Sequence, residues 1–91
     1  MQYYVVTFTH NKIVGWAIYL HAHVKYLKKL LEEKKLRASG SYVNNPKAGL
    51  SILSVADAAE AEAIMKADPF VEKLGAEYQV IQWNPRCGDF K

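Results

Sequence analysis

The segment Tyr3 to Thr9 alternates Tyr4, Val6 and Phe8 against Tyr3, Val5 and Thr7, and both series are largely apolar. A β-strand sends successive side chains to opposite faces. A strand with β-branched and aromatic residues on both sides needs cover on both. Ala76 to Trp83 makes the same demand, with Tyr78 and Val80 on one side and Ile81 and Trp83 on the other. A sheet built on these two segments therefore requires two covering layers.

The rest of the chain supplies one of them. After a turn at Asn11-Lys12, the spacing from Ile13 to Lys35 predicts a helix. Trp16, Leu20, His23, Leu27 and Leu30 recur at steps of four and three and form one stripe, which Val24 and Leu31 widen. Gly15 weakens the start of this helix. Leu36 to Tyr42 reads as a second strand and Ala48 to Val55 as a third, with the turn signal Asn44-Asn45-Pro46 between them. Asp57 is a good N-cap for a helix over Ala58 to Ala67, and Glu60 stands where a capping box needs it. Asp68-Pro69 stops that helix and opens a short one over Pro69 to Leu74, which Gly75 ends. Pro85 closes the fourth strand, and Arg86 to Lys91 reads as a tail.

The order is β-α-β-β-α-β, the ferredoxin-like arrangement of the α+β class, over one domain of residues 1–91. It places a four-stranded antiparallel sheet under helices packed on one face. The second face is expected to be covered by another copy of the chain. Two such sheets face to face make a homodimer with the form of a dimeric α+β barrel.

Composition removes several functions. One cysteine, Cys87, in a chain of 91 residues cannot form an internal disulfide or a cysteine zinc site. A reducing, cytoplasmic setting is expected. The longest mostly apolar run, Ile13 to Leu20, is far short of the ~20 residues of a spanning helix, and the first residues lack the features of a signal peptide. The net charge of +3 hints at nucleic acid. Yet Lys25, Lys28, Lys29, Lys34, Lys35 and Arg37 follow one helix and its exit, with Glu32 and Glu33 among them, as on a solvated face. Neither a membrane nor a nucleic-acid partner is expected.

Chemistry narrows to two residues. His21 and His23 lie about 200° apart around a helix axis, so they cannot share a metal ion. No metal site and no cofactor are expected. His23 falls on the buried stripe, where an imidazole needs partners for its ring nitrogens. Asp68 ends the second helix, which shares a sheet face with the first. Its carboxylate could take the Nδ1–H of His23, fixing the tautomer and freeing Nε2 as a base. The bland alternatives are a core histidine bonded to a backbone carbonyl and an aspartate that only caps the Pro69 helix.

The run His23-Val24-Lys25-Tyr26-Leu27-Lys28-Lys29-Leu30, continuing to Leu36-Arg37-Ala38-Ser39-Gly40, resembles the first helix and second strand of the YciI-like (YCII-related) family. Ala67-Asp68-Pro69-Phe70-Val71-Glu72, then Gly75 and the strand Ala76 to Trp83, resembles the same family over most of the remaining chain. The resemblance implies the dimeric α+β barrel fold. It also implies a catalytic histidine–aspartate dyad carried onto His23 and Asp68. One activity of that family, dehydrochlorination of a chlorinated hydroxyhydroquinone, implies base-initiated, lyase-like chemistry on a small cyclic or phenolic molecule. Leu20 stands where many relatives carry arginine, and Ser39-Gly40-Ser41 where relatives often have Ala-Gly-Pro.

Three functions compete. In the first, a small dimeric enzyme uses His23 and Asp68 in a pocket between helices and sheet. Gly40 then gives close approach, Ser39 and Ser41 donate to a substrate oxygen, and Tyr3, Tyr42 and Ser54 line the pocket. In the second, a non-catalytic dimer binds a metabolite or serves a regulatory role, and the pair only joins two helices. In the third, the chain is a cofactor-free monooxygenase-like barrel protein. No role is assigned to His10, His21 or Cys87.

Overall fold

The computed structural model describes residues 1–10 and 13–89, so the Asn11-Lys12 turn lies outside the described residues. In chain order the elements are β1 (Gln2–Thr9), α1 (Ile13–Glu32), β2 (Leu36–Tyr42), β3 (Asn45–Val55), α2 (Ala58–Ala67), α3 (Pro69–Leu74) and β4 (Glu77–Trp83). The sheet is ordered β2-β3-β1-β4, and every neighbouring pair is antiparallel. This is the expected α+β arrangement.

Register assigns the two faces. Tyr4 pairs with Leu53 and Val6 with Ser51 on one flank of β1, while Val6 pairs with Val80 and Phe8 with Tyr78 on the other. This face meets the helices. Its core holds Tyr4, Val6, Leu30, Leu36, Leu53, Val55, Ala61, Ile64 and Met65, all buried. A second cluster of Phe70, Leu74 and Ala76 packs against Trp16, Tyr19, Leu20 and Val71, and it joins α1 to α3.

Tyr3, Val5, Ile52, Leu50, Ile81 and Trp83 occupy the opposite face with Thr7, Gln79 and Ser54. None of the six apolar or aromatic side chains is fully buried there, and Ile81 is 51% exposed. Tyr3 meets the edge of Trp83, with centroids 6.5 Å apart, and its hydroxyl accepts from Arg37 Nη1 at 3.2 Å.

Several local expectations shift. Helix α1 ends at Glu32 instead of Lys35, because Lys34 turns left-handed at φ 61° and the N–H groups of Lys34 and Lys35 bond back to Leu31 and Leu30. No glycine marks this stop, since a lysine takes the αL position that glycine usually fills. Val24 and Leu31 do not widen the buried stripe; they are 39% and 49% exposed. The β2–β3 hairpin is tighter than expected: Tyr42 pairs with Asn45, so β3 begins three residues before Ala48.

Gly15 has a packing reason. A Cβ at this position would collide with Leu74 Cδ2, so the glycine permits α1 and α3 to approach. At α2, the Asp57 carboxylate accepts from the Glu60 N–H at 2.9 Å as an N-cap should. Glu60 reaches one residue further back than in a simple capping box and accepts from the Ala56 N–H. That bond and the Lys35 ammonium hold the Glu60 carboxyl below its ordinary range.

Candidate functional site

Asp68 occupies the joint between α2 and α3, where extended backbone (φ −64°, ψ 128°) separates the helices. Pro69 forces that break and starts α3, and the Asp68 carboxylate caps it by accepting from the Phe70 N–H at 2.9 Å. The same oxygen, Oδ1, lies 2.9 Å from His23 Nδ1. Both side chains are nearly enclosed, at 12% and 8% exposure. Phe70 lies flat against the imidazole, with centroids 3.9 Å apart and planes 11° from parallel. Three constraints therefore fix the histidine: its helix, its stacking partner and its carboxylate. With Nδ1 engaged by Asp68, Nε2 is the ring's remaining nitrogen.

The space beside the pair is small. Phe8, His23, Ser51, Met65, Asp68, Phe70, Val71 and Ala76 surround a cavity of about 10 Å³, near the least that holds one water molecule. Ser51 is buried in this wall, and its Oγ lies 2.8 Å from that of Ser39 on the exposed edge strand β2. The hydroxyl pair runs from the surface to the cavity. Nearby, Tyr26 donates its hydroxyl proton to the Ile64 carbonyl at 2.7 Å. Burial, then the charges of Asp68 and Glu33, push the Tyr26 hydroxyl up to about 12, so it stays protonated.

The expected site residues divide. His23 and Asp68 meet directly, and Ser39 reaches the cavity through Ser51. Ser41 lies on the helix face of β2, exposed and opposite Gly49. Gly40 lies on the opposite face, paired with Leu50, and an added Cβ would meet nothing. The glycine that permits close approach is Gly49, where a Cβ would strike the Gly40 carbonyl oxygen, Phe8 Cζ and Ser41 Cα. Tyr42 is exposed at the hairpin and borders an open hollow of about 330 Å³ with Thr7, Phe8, Thr9 and Tyr78. Tyr3 and Ser54 pair with one another at the far end of β1 on the opposite sheet face. The structure does not bring them to His23. Tyr3 instead borders a broad hollow of about 610 Å³ with Gln82, Trp83 and Pro85.

Sequence reasoning left out Ser51, Phe70 and His10. Ser51 was legible as the residue on β3 with the parity of Leu53 and Val55. Phe70 follows Pro69 directly and falls where α3 must face α1. His10 is buried one residue past β1, its ring nearly parallel to that of Trp16 and tilted against that of Phe70. Among the described residues no three histidine, cysteine or carboxylate side chains gather as a metal site, and no helix is long and apolar enough to cross a membrane.

The family model of the YCII-related domain matches residues 4–84. The chain belongs to this family. No curated protein matches it. Among solved structures it is similar to the 5-chloro-2-hydroxyhydroquinone dehydrochlorinase of Burkholderia phenoliruptrix in complex with 2,5-dihydroxybenzoquinone. The TM-score is 0.76 at 17% identity, over 90% of this chain and 93% of that one. It is also similar to a Deinococcus radiodurans protein named for antibiotic biosynthesis monooxygenases. That TM-score is 0.65 at 9% identity, over 98% of this chain and 96% of that one. At these identities the likeness carries the fold: this YCII-related chain has the protomer architecture of dimeric α+β barrel proteins.

Proposed function

We propose that this YCII-related protein is a small enzyme in which His23 is the general base and Asp68 its positioning partner. The observation that carries the reading is the 2.9 Å bond between His23 Nδ1 and Asp68 Oδ1. A carboxylate there holds the tautomer and stabilises the imidazolium formed when Nε2 takes a proton. The similar dehydrochlorinase points to a small cyclic or phenolic substrate and to elimination. Such a step is balanced without an added oxidant. The substrate proton goes to Nε2, the electrons of its broken bond become a new π bond, and chloride leaves with the C–Cl pair.

The apolar face of Tyr3, Val5, Ile52, Ile81 and Trp83 supports a homodimer through the sheet. A dimer-sized mass by light scattering at micromolar concentration is expected, and a monomer mass would count against it. For the chemistry, chlorinated dihydroxybenzenes are offered to the protein and released chloride is measured. His23→Ala is expected to abolish release while the far-UV spectrum is kept.

A second reading is favoured by the water-sized cavity: a non-catalytic metabolite-binding dimer in which the pair only joins α1 to α3. Under it, His23→Ala lowers the melting temperature sharply and no halide release depends on the residue.

A further inference from the structure

The His23–Asp68 pair stands behind a space too small for any ring. A benzene ring needs a cavity of about 150 Å³, whereas the one beside the pair is about 10 Å³. A cyclic substrate therefore does not touch Nε2 in this structure, and its proton must reach the imidazole through an intermediary.

The cavity walls supply one. A volume of roughly 10–15 Å³ holds a water molecule where roughly two to four polar groups can bond it. Three polar side chains line this cavity: His23, Asp68 and Ser51. The bonds that His23 and Asp68 make with each other and with the Phe70 N–H use Nδ1 and Oδ1, leaving Nε2 and Oδ2. Neither atom is sealed from water without a partner, as His10 Nδ1 is.

Ser51 continues the path outward. It pairs with Val6 and shares the parity of Leu53, so its side chain lies on the helix face of β3. The residue is 5% exposed, and its Oγ is 2.8 Å from Ser39 Oγ. Ser39 is exposed on the edge strand β2. A hydroxyl has one proton to donate and lone pairs with which to accept. Ser39 can thus donate to Ser51, Ser51 to the water and the water to Nε2, all in one direction, while Nδ1–H donates to Asp68. The nearby Tyr26 hydroxyl is committed elsewhere, donating to the Ile64 carbonyl.

We propose that one water molecule in this cavity and the hydroxyls of Ser51 and Ser39 form a proton relay between the surface of β2 and His23 Nε2. The inference rests on His23 as the base and extends that reading to where the substrate sits: at Ser39, outside the cavity. The transfers balance. The substrate proton goes to Ser39 Oγ as Ser39 gives its own to Ser51, Ser51 gives its own to the water, and the water gives one to Nε2. Each hydroxyl gains one proton and loses one, so only the substrate and the imidazole change. Ser51 never meets the substrate and is a positioning residue.

Two measurements on the full chain need no substrate. A high-resolution crystal structure is expected to show one ordered water within about 3.2 Å of both Nε2 and Ser51 Oγ; a dry cavity would overturn the proposal. In protein with isotope-labelled histidine, at low buffer concentration, the ring line shapes through the His23 titration give its rate of proton exchange with water. Ser39→Ala and Ser51→Ala are each expected to slow that rate by about tenfold or more, and Ser39→Thr, which keeps the hydroxyl, to restore it. Ser39 is exposed, so its variants keep the test valid if Ser51→Ala disturbs packing. Exchange as fast in Ser39→Ala as in the parent chain would overturn the relay. Chloride release from chlorinated dihydroxybenzenes then separates the two ideas. Slowed exchange in the serine variants with no release even from the parent chain supports the relay and removes the elimination reading. Release by the parent chain that is unchanged in Ser39→Ala removes the relay and leaves His23 as the base.

Discussion

His23 and His10 both lie near Phe70, with ring centroids 3.9 and 5.6 Å away, and their surroundings differ in one respect. His23 has a carboxylate at 2.9 Å, whereas His10 has a buried nitrogen with no partner among the described residues and a lysine nearby. A partner orients an imidazole and accommodates its charge, as proton transfer requires. Burial beside a cation favours the neutral imidazole. Two copies of one residue type, near one ring, thus stand in different electrostatic settings.

The largest perturbation removes the ring that both histidines contact. Phe70 is 5% exposed, so Phe70→Ala is expected to lose about 3–5 kcal/mol in urea denaturation. A loss below about 1 kcal/mol would show that the ring is not packed as its burial implies. Asp68→Ala comes next, at about 2 kcal/mol, because it removes the α3 cap and strands His23 Nδ1. Asp68→Asn separates the two roles: it keeps a capping oxygen, so stability is largely restored while proton transfer is not. Equal stability of the two variants would remove the capping role.

The His10 side should respond in the opposite sense. His10→Phe replaces an unmet polar atom by apolar surface and is expected to stabilise the chain by about 1 kcal/mol. A loss of stability would mean that Nδ1 is already satisfied. The smallest effect is in pH. Because the folded pKa of His10 lies below its ordinary 6.5, the unfolded chain binds the proton more readily. Stability is kept above pH 6.5 and falls as the pH drops from there through the folded value. His10→Phe removes that contribution, so its advantage should widen on acidification. An advantage independent of pH between neutrality and pH 5 would contradict the assignment.

Much of this was legible in the residues. Parity along β1 and β4 assigned both sheet faces, and the Asp68-Pro69 step located the joint that caps α3. The stripe placed His23 on the inner side of α1. What escaped depended on packing across elements. Nothing local distinguishes Gly15 as a contact with Leu74, or Gly49 from Gly40 as the crowded glycine. The size of the cavity beside His23 is likewise set by Phe8, Met65 and Val71, which arrive from three elements. The stop at Lys34 was hidden because the residue that turns the chain is an ordinary lysine.

Asp68 puts a single oxygen to two uses, accepting from the Phe70 N–H and from His23. In a library of variants at this position, selection for folding would admit Asn, Ser and Thr, because each can cap a helix. If His23 acts as the proposed general base, selection for proton transfer would admit only Asp. The gap between the two sets of survivors measures catalytic demand directly, with no need to know the substrate beforehand. On that reading, a lineage without the chemistry should show it first by drift from Asp to Asn at this joint.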